Sequence, residues 1–161
     1  GAADGMTSTA RYDVQGRLVY WERAWTWANR DDTDVHIETV SYREDGKIAS
    51  TLGRSHFGQS DEYTTLTTYV YNERGDLTRI NVEYDPTDIF GPGYYHELRY
   101  DEQNRHVAYV FHYADGREGL PSGNTYFWYT EDGQRCYYHV DTNGNLVGGP
   151  DGTSGDNPLR K

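Results

Sequence analysis

Six histidines, one cysteine and 26 acidic residues are the groups in this 161-residue chain able to do chemistry. The histidines, His36, His56, His96, His106, His112 and His139, fall at different offsets from a recurring tyrosine, so no ligand position repeats. His96 and His112 come closest to a pair. In the register inferred below, His96 opposes Val110 and Tyr94 opposes His112 on one face, which Glu83 shares and Glu97 does not. Two histidines and a carboxylate fall short of the three or four placed ligands that zinc takes. Surface histidines are therefore the expectation, with no metal and no cofactor implied. Asp31-Asp32-Thr33-Asp34 is the densest acidic cluster, and Asp141, Asn143 and Asn145 alternate like the first ligands of a calcium loop. The following glycine and late bidentate glutamate of such a loop are missing, so both stretches read as polar turns. There is no Gly-x-Ser-x-Gly elbow and no glycine-rich phosphate cradle before a helix. A lone Cys136 forbids an internal disulfide or a multi-cysteine metal cluster and reads as a small hydrophobe mid-strand on the apolar face. Carboxylate pairs for glycoside hydrolysis depend on a separation in space. No residue pattern marks an enzyme.

The elements that must position these groups are sparse in aliphatic residues. Leu, Ile, Val and Phe total 26 of 161, the net charge is −11 and the mean hydropathy is −0.96. Those values alone suggest disorder. Sixteen tyrosines and four tryptophans argue the opposite, because rings bury a large surface while keeping a polar tip wet. No apolar run approaches the ~20 residues of a membrane helix. The acidic balance also disfavours nucleic acid, whose binders need a basic face.

Five segments align: Tyr12-Asp-Val-Gln-Gly-Arg-Leu18, Tyr42-Arg-Glu-Asp-Gly-Lys-Ile48, Tyr71-Asn-Glu-Arg-Gly-Asp-Leu77, Tyr100-Asp-Glu-Gln-Asn-Arg-His106 and Tyr129-Thr-Glu-Asp-Gly-Gln-Arg135. Their tyrosines are 30, 29, 29 and 29 residues apart, the mark of a structural repeat. Asp or Asn at the first turn position and Gly at the fourth predict a type I turn with a G1 bulge. Asn104 is the best non-glycine occupant of that fourth position. The flanks are β-branched and aromatic, as strands are. The expectation is all-β: an antiparallel meander of about ten strands from five 29-residue hairpin repeats. Residues 1–9 read as a flexible leader, 10–147 as one hairpin-repeat domain and 148–161 as a flexible tail. The connections around 29–34, 58–62, 86–93, 114–123 and 142–145 read as less regular.

The turn pairs Tyr12 with Leu18, Tyr42 with Ile48, Tyr71 with Leu77, Tyr100 with His106 and Tyr129 with Arg135. Alternation from these pairs gathers Glu22, His36, Glu38, Arg54, Arg79, Glu83, His96, His112 and His139 on the tyrosine face. The opposite face gathers Trp21, Trp25, Ile37, Leu66, Val82, Tyr109, Phe111, Trp128 and Tyr138, and is the expected core. With no helix to cover it, the sheet is expected to curl into a barrel-like or wrapped form that covers itself.

The Tyr-Asp-x-x-Gly-Arg-Leu unit at 12–18, with its similar units at 42, 71, 100 and 129, resembles the YD repeat of rearrangement-hot-spot (RHS) proteins. The resemblance spans most of residues 10–147 and implies β-hairpin repeats and export to a bacterial envelope, periplasm or exterior. In that setting the polar residues 1–9 suit a tether to a lipoprotein-type anchor. Dozens of repeats, an enclosed volume and a C-terminal toxin segment are family features that this chain lacks. No catalytic residue carries over.

Three classes of function follow. The first is a non-catalytic binding or structural module whose rings and polar groups suit carbohydrate or another protein. The second is an acidic immunity or inhibitor protein steered onto a basic toxin. The third is a β-barrel holding a small apolar ligand. For a ligand, the candidate surface is Tyr69, Arg79, Glu83, Tyr94, His96, His112, Tyr137 and His139, with Arg79 as a bidentate anchor and Tyr94 or Tyr137 as stacking rings. The oligomeric state is left open.

Overall fold

Each of the five repeat units turns the chain back on itself, for a local reason. In the first, the Asp13 carboxylate accepts bonds from the backbone N–H groups of Gln15 and Arg17, both at 2.9 Å. Gly16 N–H donates to the Asp13 carbonyl at 3.0 Å, and Asp13 N–H to the Arg17 carbonyl at 2.9 Å. That is a type I turn with a G1 bulge. The fourth position has φ of 78° at Gly16, 83° at Gly46, 85° at Gly75, 84° at Gly133 and 60° at Asn104. The same paired backbone bonds close the turns that start at Arg43, Asn72, Asp101 and Thr130. A further turn of this kind runs from Tyr113 to Arg117, with Gly116 at φ 86°, inside a stretch that reads from sequence as an irregular connection.

The computed structural model describes residues 3–27, 33–58, 62–87, 91–120, 123–141, 143 and 145–149. The turns join β1 (Ala3–Tyr12) to β2 (Leu18–Trp27), and β3 (Thr33–Tyr42) to β4 (Ile48–His56). They likewise join β5 (Tyr63–Tyr71) to β6 (Leu77–Asp85), β7 (Tyr94–Tyr100) to β8 (His106–Tyr113), and β9 (Thr125–Tyr129) to β10 (Arg135–Val140). A short β11 (Leu146–Gly149) follows. The hydrogen-bonded order is the sequence order, with β1 and β11 at its ends. The fold is an antiparallel meander made of the ten hairpin strands plus β11, and it is not closed into a barrel. Among the described residues no helix is long and apolar enough to cross a membrane.

Two expected segment boundaries move. Residues 3–9 belong to β1 rather than to a leader: Thr7, Ser8 and Thr9 sit opposite Ala24, Arg23 and Glu22. Backbone pairing makes this strand, whose own residues carry no apolar alternation. At the other end, Gly148 and Gly149 pair with Tyr138 and Tyr137, and 150–161 lie outside the described residues. So do Asp31 and Asp32 of the acidic cluster. Asp34 is described and buried, accepting a bond from Trp27 Nε1 at 2.7 Å.

The motif residues also tie one repeat to the next. Arg17 Nε contacts Asp13 Oδ2 at 2.7 Å while its guanidinium lies over the Tyr42 ring at 4.4 Å. The Tyr42 hydroxyl donates to the Leu18 carbonyl at 2.8 Å. Arg105, Asp101 and Tyr129 repeat the arrangement, with the Tyr129 hydroxyl donating to the His106 carbonyl at 3.0 Å. Tyr100 bonds the Leu77 carbonyl at 2.7 Å. The spacing of the tyrosines thus carries a bond between hairpins and a cation–π contact as well as cross-strand packing.

The turn-adjacent pairs Tyr12–Leu18, Tyr42–Ile48, Tyr100–His106 and Tyr129–Arg135 are as the sequence predicts. One pair further on, the register shifts in three of these four hairpins. Arg11 pairs with Tyr20, Ser41 with Ser50 and Arg99 with Ala108, so Val19, Ala49 and Val107 are skipped. A skipped residue reverses which face the rest of its strand presents. Glu22 and Arg54 therefore leave the face of His36 and Glu38, which is shared instead by Trp21 and Trp25. The face lists expected from simple alternation, and the one-sided apolar core built on them, are corrected on this ground. Apolar side chains are spread over both faces, so neither face alone requires a closed sheet to cover it. The buried apolar residues among those described are few: Val82, Ala108, Val110, Cys136 and Tyr138.

The chain groups into two compact units, Gly1–Val70 with Asn81–Gly93, and Tyr71–Ile80 with Tyr94–Lys161. In the first, Gly93 (φ 99°) lies so close to β6 that an added Cβ would stand 2.1 Å from the Val82 carbonyl oxygen.

Candidate functional site

The second unit holds six of the eight candidate residues, on two faces, and the shift at Val107 is what sends His112 to the face opposite His96. His96 is opposite Phe111, Tyr94 opposite Tyr113, and Glu97 opposite Val110. The expected pairings of His96 with Val110 and of Tyr94 with His112 are thus displaced by one residue, and His112 pairs with Tyr95 instead. His96 and His112 point away from each other. The two-histidine site is not formed, and among the described residues no three His, Cys, Asp or Glu side chains converge to hold a metal.

One face carries Arg79, Tyr95, Glu97, Arg99 and His112. Arg79 lies over the Tyr95 ring at 3.6 Å, and His112 stacks on Tyr95 with centroids 4.5 Å apart and planes within 9°. His112 is buried and its Nε2 is 2.9 Å from Glu97 Oε2. Glu97 also receives both Nε and Nη2 of Arg99 at 3.0 Å, and Arg99 Nη2 reaches Glu118 at 3.1 Å. The Arg99 bonds hold the Glu97 carboxyl below the usual carboxylate range, opposed by desolvation and helped by His112. These bonds in turn raise Arg99. The neighbours on this face, Ala108, Val110, Cys136 and Tyr138, are buried, so Cys136 does occupy a packed apolar position. The charges here pair with one another or lie over a ring, above a buried apolar layer, which makes the face a support.

The other face carries Tyr94, His96, Tyr137 and His139. His96 stacks on Tyr109 at 4.2 Å and meets Tyr94 and Phe111 edge-on at 5.3 and 5.5 Å. Phe111 continues to Tyr113 at 5.3 Å, and His106 to Phe127 at 4.8 Å. Phe127 opposes Tyr137, and Thr125 opposes both Tyr109 and His139. Guanidinium groups lie over two of these rings, Arg117 over Tyr113 at 5.4 Å and Arg135 over Phe127 at 4.9 Å. Burial, followed by the charge of His112, lowers the His96 pKa and favours its neutral form. Tyr113 and Tyr137 remain 42% and 43% exposed. The face is a ring platform with cations beside it and two phenols open to solvent.

Tyr69 and Glu83 belong to the first unit, half-buried in β5 and exposed in β6 respectively. Arg79 is on the support side. Sequence reasoning missed Tyr109, Phe111 and Tyr113 as platform residues because alternation assigns the first two to a core; the signal that would place them is the skipped Val107. The calcium-like run at 141–145 is a hairpin turn: Asp141 Oδ1 accepts from the N–H groups of Asn143 and Asn145 at 2.9 and 2.8 Å. Compared with known proteins, the chain matches no family model and no curated protein sequence.

Proposed function

We propose that this chain is a non-catalytic binding module whose aromatic face in the second unit takes carbohydrate. The observation that carries the reading is the ring array of Tyr94, His96, Tyr109, Phe111 and Tyr113, with Tyr113 and Tyr137 exposed. Sugar rings present C–H faces that stack on aromatic rings, while their hydroxyls need donors and acceptors at the rim. Arg117, Arg135 and His139 stand at that rim. The resemblance to YD repeats favours the same reading and an envelope, periplasmic or secreted setting. An inert support face and a ring-bearing face on one sheet suit a surface that holds a ligand without transforming it.

A glycan array probed with the folded chain tests this, followed by titration of the best binder against Tyr137→Ala and Tyr113→Ala. The expected result is saturable binding to at least one glycan, weakened roughly tenfold or more in either variant. No glycan above background, or binding untouched by both substitutions, overturns the reading.

A further inference from the structure

We propose that a groove on the first unit, remote in sequence from the ring platform, binds a small organic carboxylate with a short apolar body. The groove has a volume of about 270 Å³ and is lined by Tyr20, Ile37, Thr39, Leu52 and Arg54. That lies just below the span of small-molecule sites, roughly 300–1,000 Å³. The register builds it. Tyr20, Thr39 and Leu52 form one row across β2, β3 and β4, and Glu22, Ile37 and Arg54 form the next. Ile37 and Leu52 supply an apolar floor, the Tyr20 ring a wall, and Arg54 a charged end.

Arg54 carries the assignment. Acidic residues outnumber Lys and Arg by 26 to 15, and most described arginines are engaged. Arg17, Arg43, Arg74, Arg99, Arg105 and Arg117 each contact a carboxylate. Arg11, Arg23, Arg79 and Arg135 each lie over an aromatic ring. Among the described residues Arg54 does neither, although it is exposed and ends an apolar groove. Glu22, the carboxylate in its row, sits two strands away and accepts a short hydrogen bond from the Tyr20 hydroxyl. Arg11 stacks on Tyr20 at 4.5 Å and adds a second cation at that wall. A guanidinium presents parallel donors suited to a carboxylate, and an apolar tail of a few carbons would cover Ile37 and Leu52. The skipped residue of the second hairpin is what brings Arg54 beside Ile37, because unshifted alternation puts them on opposite faces.

The test is a titration of the isotope-labelled chain with hexanoate and, in parallel, with hexanol, followed by backbone amide NMR. Hexanoate is expected to shift the amides of Ile37, Thr39, Leu52 and Arg54, with hexanol weaker by at least ~10-fold. Arg54→Gln, an exposed change expected to leave the spectrum otherwise intact, should abolish the difference between the two probes; Arg54→Lys should retain part of it. No localised shift with hexanoate, equal binding of the two probes to the native chain, or an unchanged preference in Arg54→Gln overturns the site. Glycan binding by the second unit is unaffected by any of these outcomes.

Discussion

The fourth and fifth hairpins share a turn but differ one residue pair beyond it. In the fourth, Tyr100 faces His106, then Arg99 faces Ala108, and Val107 is passed over. In the fifth, Tyr129 faces Arg135, Trp128 faces Cys136, and no residue is passed over. Simple alternation therefore holds along β10, where Cys136 and Tyr138 lie with Trp128 and Tyr126 as their parity requires. Along β8 it is inverted, so Val110 and His112 are buried beside Glu97 while Tyr109 and Phe111 join His96. The turn decides where the chain reverses. The next residue decides which face the returning strand offers, and hence which side chains can become a binding surface.

Removing Val107 attacks that difference most directly. Without the skipped residue, β8 either keeps its register at the turn and moves Val110 and His112, 0% and 6% exposed, to the ring face, or keeps its faces and loses the turn. Both routes break the packing of the second unit. Deletion of Val107 should cost ~3 kcal/mol or more in urea unfolding. An unchanged midpoint would show that parity along β8 is not set there.

The turns themselves offer a smaller effect with a cleaner cause. An added Cβ at Gly133 meets nothing within 4 Å, yet φ there is 84°, so substitution strains the backbone alone. Gly133→Val should lose ~1–2 kcal/mol. Asn104→Gly, at φ 60°, should be neutral or slightly stabilising, because glycine enters this region freely. Equal losses for the two variants would mean that the fourth-hairpin turn depends on the Asn104 side chain.

What was legible in the sequence follows this division between local and cross-strand causes. Gly or Asn104 at the fourth position of each turn, with Asp13, Asn72 or Asp101 opening three of them, acts within a few residues, so the hairpins and their first pairs could be written down from the repeat. The skipped Val19, Ala49 and Val107 are small apolar residues, and so is Cys136, which holds the same place in the fifth hairpin and is not skipped. Alternation therefore misplaced Glu22, Arg54 and His112 while placing Cys136 and Tyr138 correctly. β1 was hidden for a related reason: Thr7, Ser8 and Thr9 are exposed, and only β2 makes them a strand. Of the candidate site, Tyr94, His96, Tyr137 and His139 share a face; the shift at Val107 took His112 from it, and Arg79 lies with Tyr95 on the other face.

The link between the two hairpins is the next handle. Tyr129 belongs to the fifth but spends its hydroxyl on the His106 carbonyl of the fourth, with Arg105 over its ring. Tyr129→Phe keeps the ring and the cation–π contact and removes one hydrogen bond, so about 1 kcal/mol should be lost. A loss several times larger would indicate that the ring itself shifts, and that the fourth hairpin leans on the fifth more than one bond requires.

The smallest effect separates the turns by charge. Asp101 opens the fourth turn where Thr130 opens the fifth. The backbone N–H of Arg105 bonds the Asp101 carboxylate, which desolvation partly opposes, and with the Arg105 side chain and Gln103 N–H it lowers that pKa below the ordinary carboxylate value. A carboxyl whose folded pKa lies below its unfolded one binds its proton first in the unfolded chain. Its stabilisation is complete above the unfolded value of about 3.9 and is lost as pH falls through the folded one. His96 works in the same direction at higher pH. Its lowered pKa means that the unfolded chain takes up a proton first, so stability declines as pH drops from the ordinary imidazole value, about 6.5. Asp101→Asn should therefore lower Tm slightly at neutral pH and flatten only the most acidic part of the Tm profile. His96→Phe should flatten the profile nearer the imidazole range and leave the acidic part in place. Thermal unfolding of the native chain and both variants from roughly pH 2 to 8 reads the two windows separately. If Asp101→Asn changes the profile near the imidazole range and not below it, the carboxylate in the fourth turn is not the group that titrates, and its difference from Thr130 is one of geometry alone.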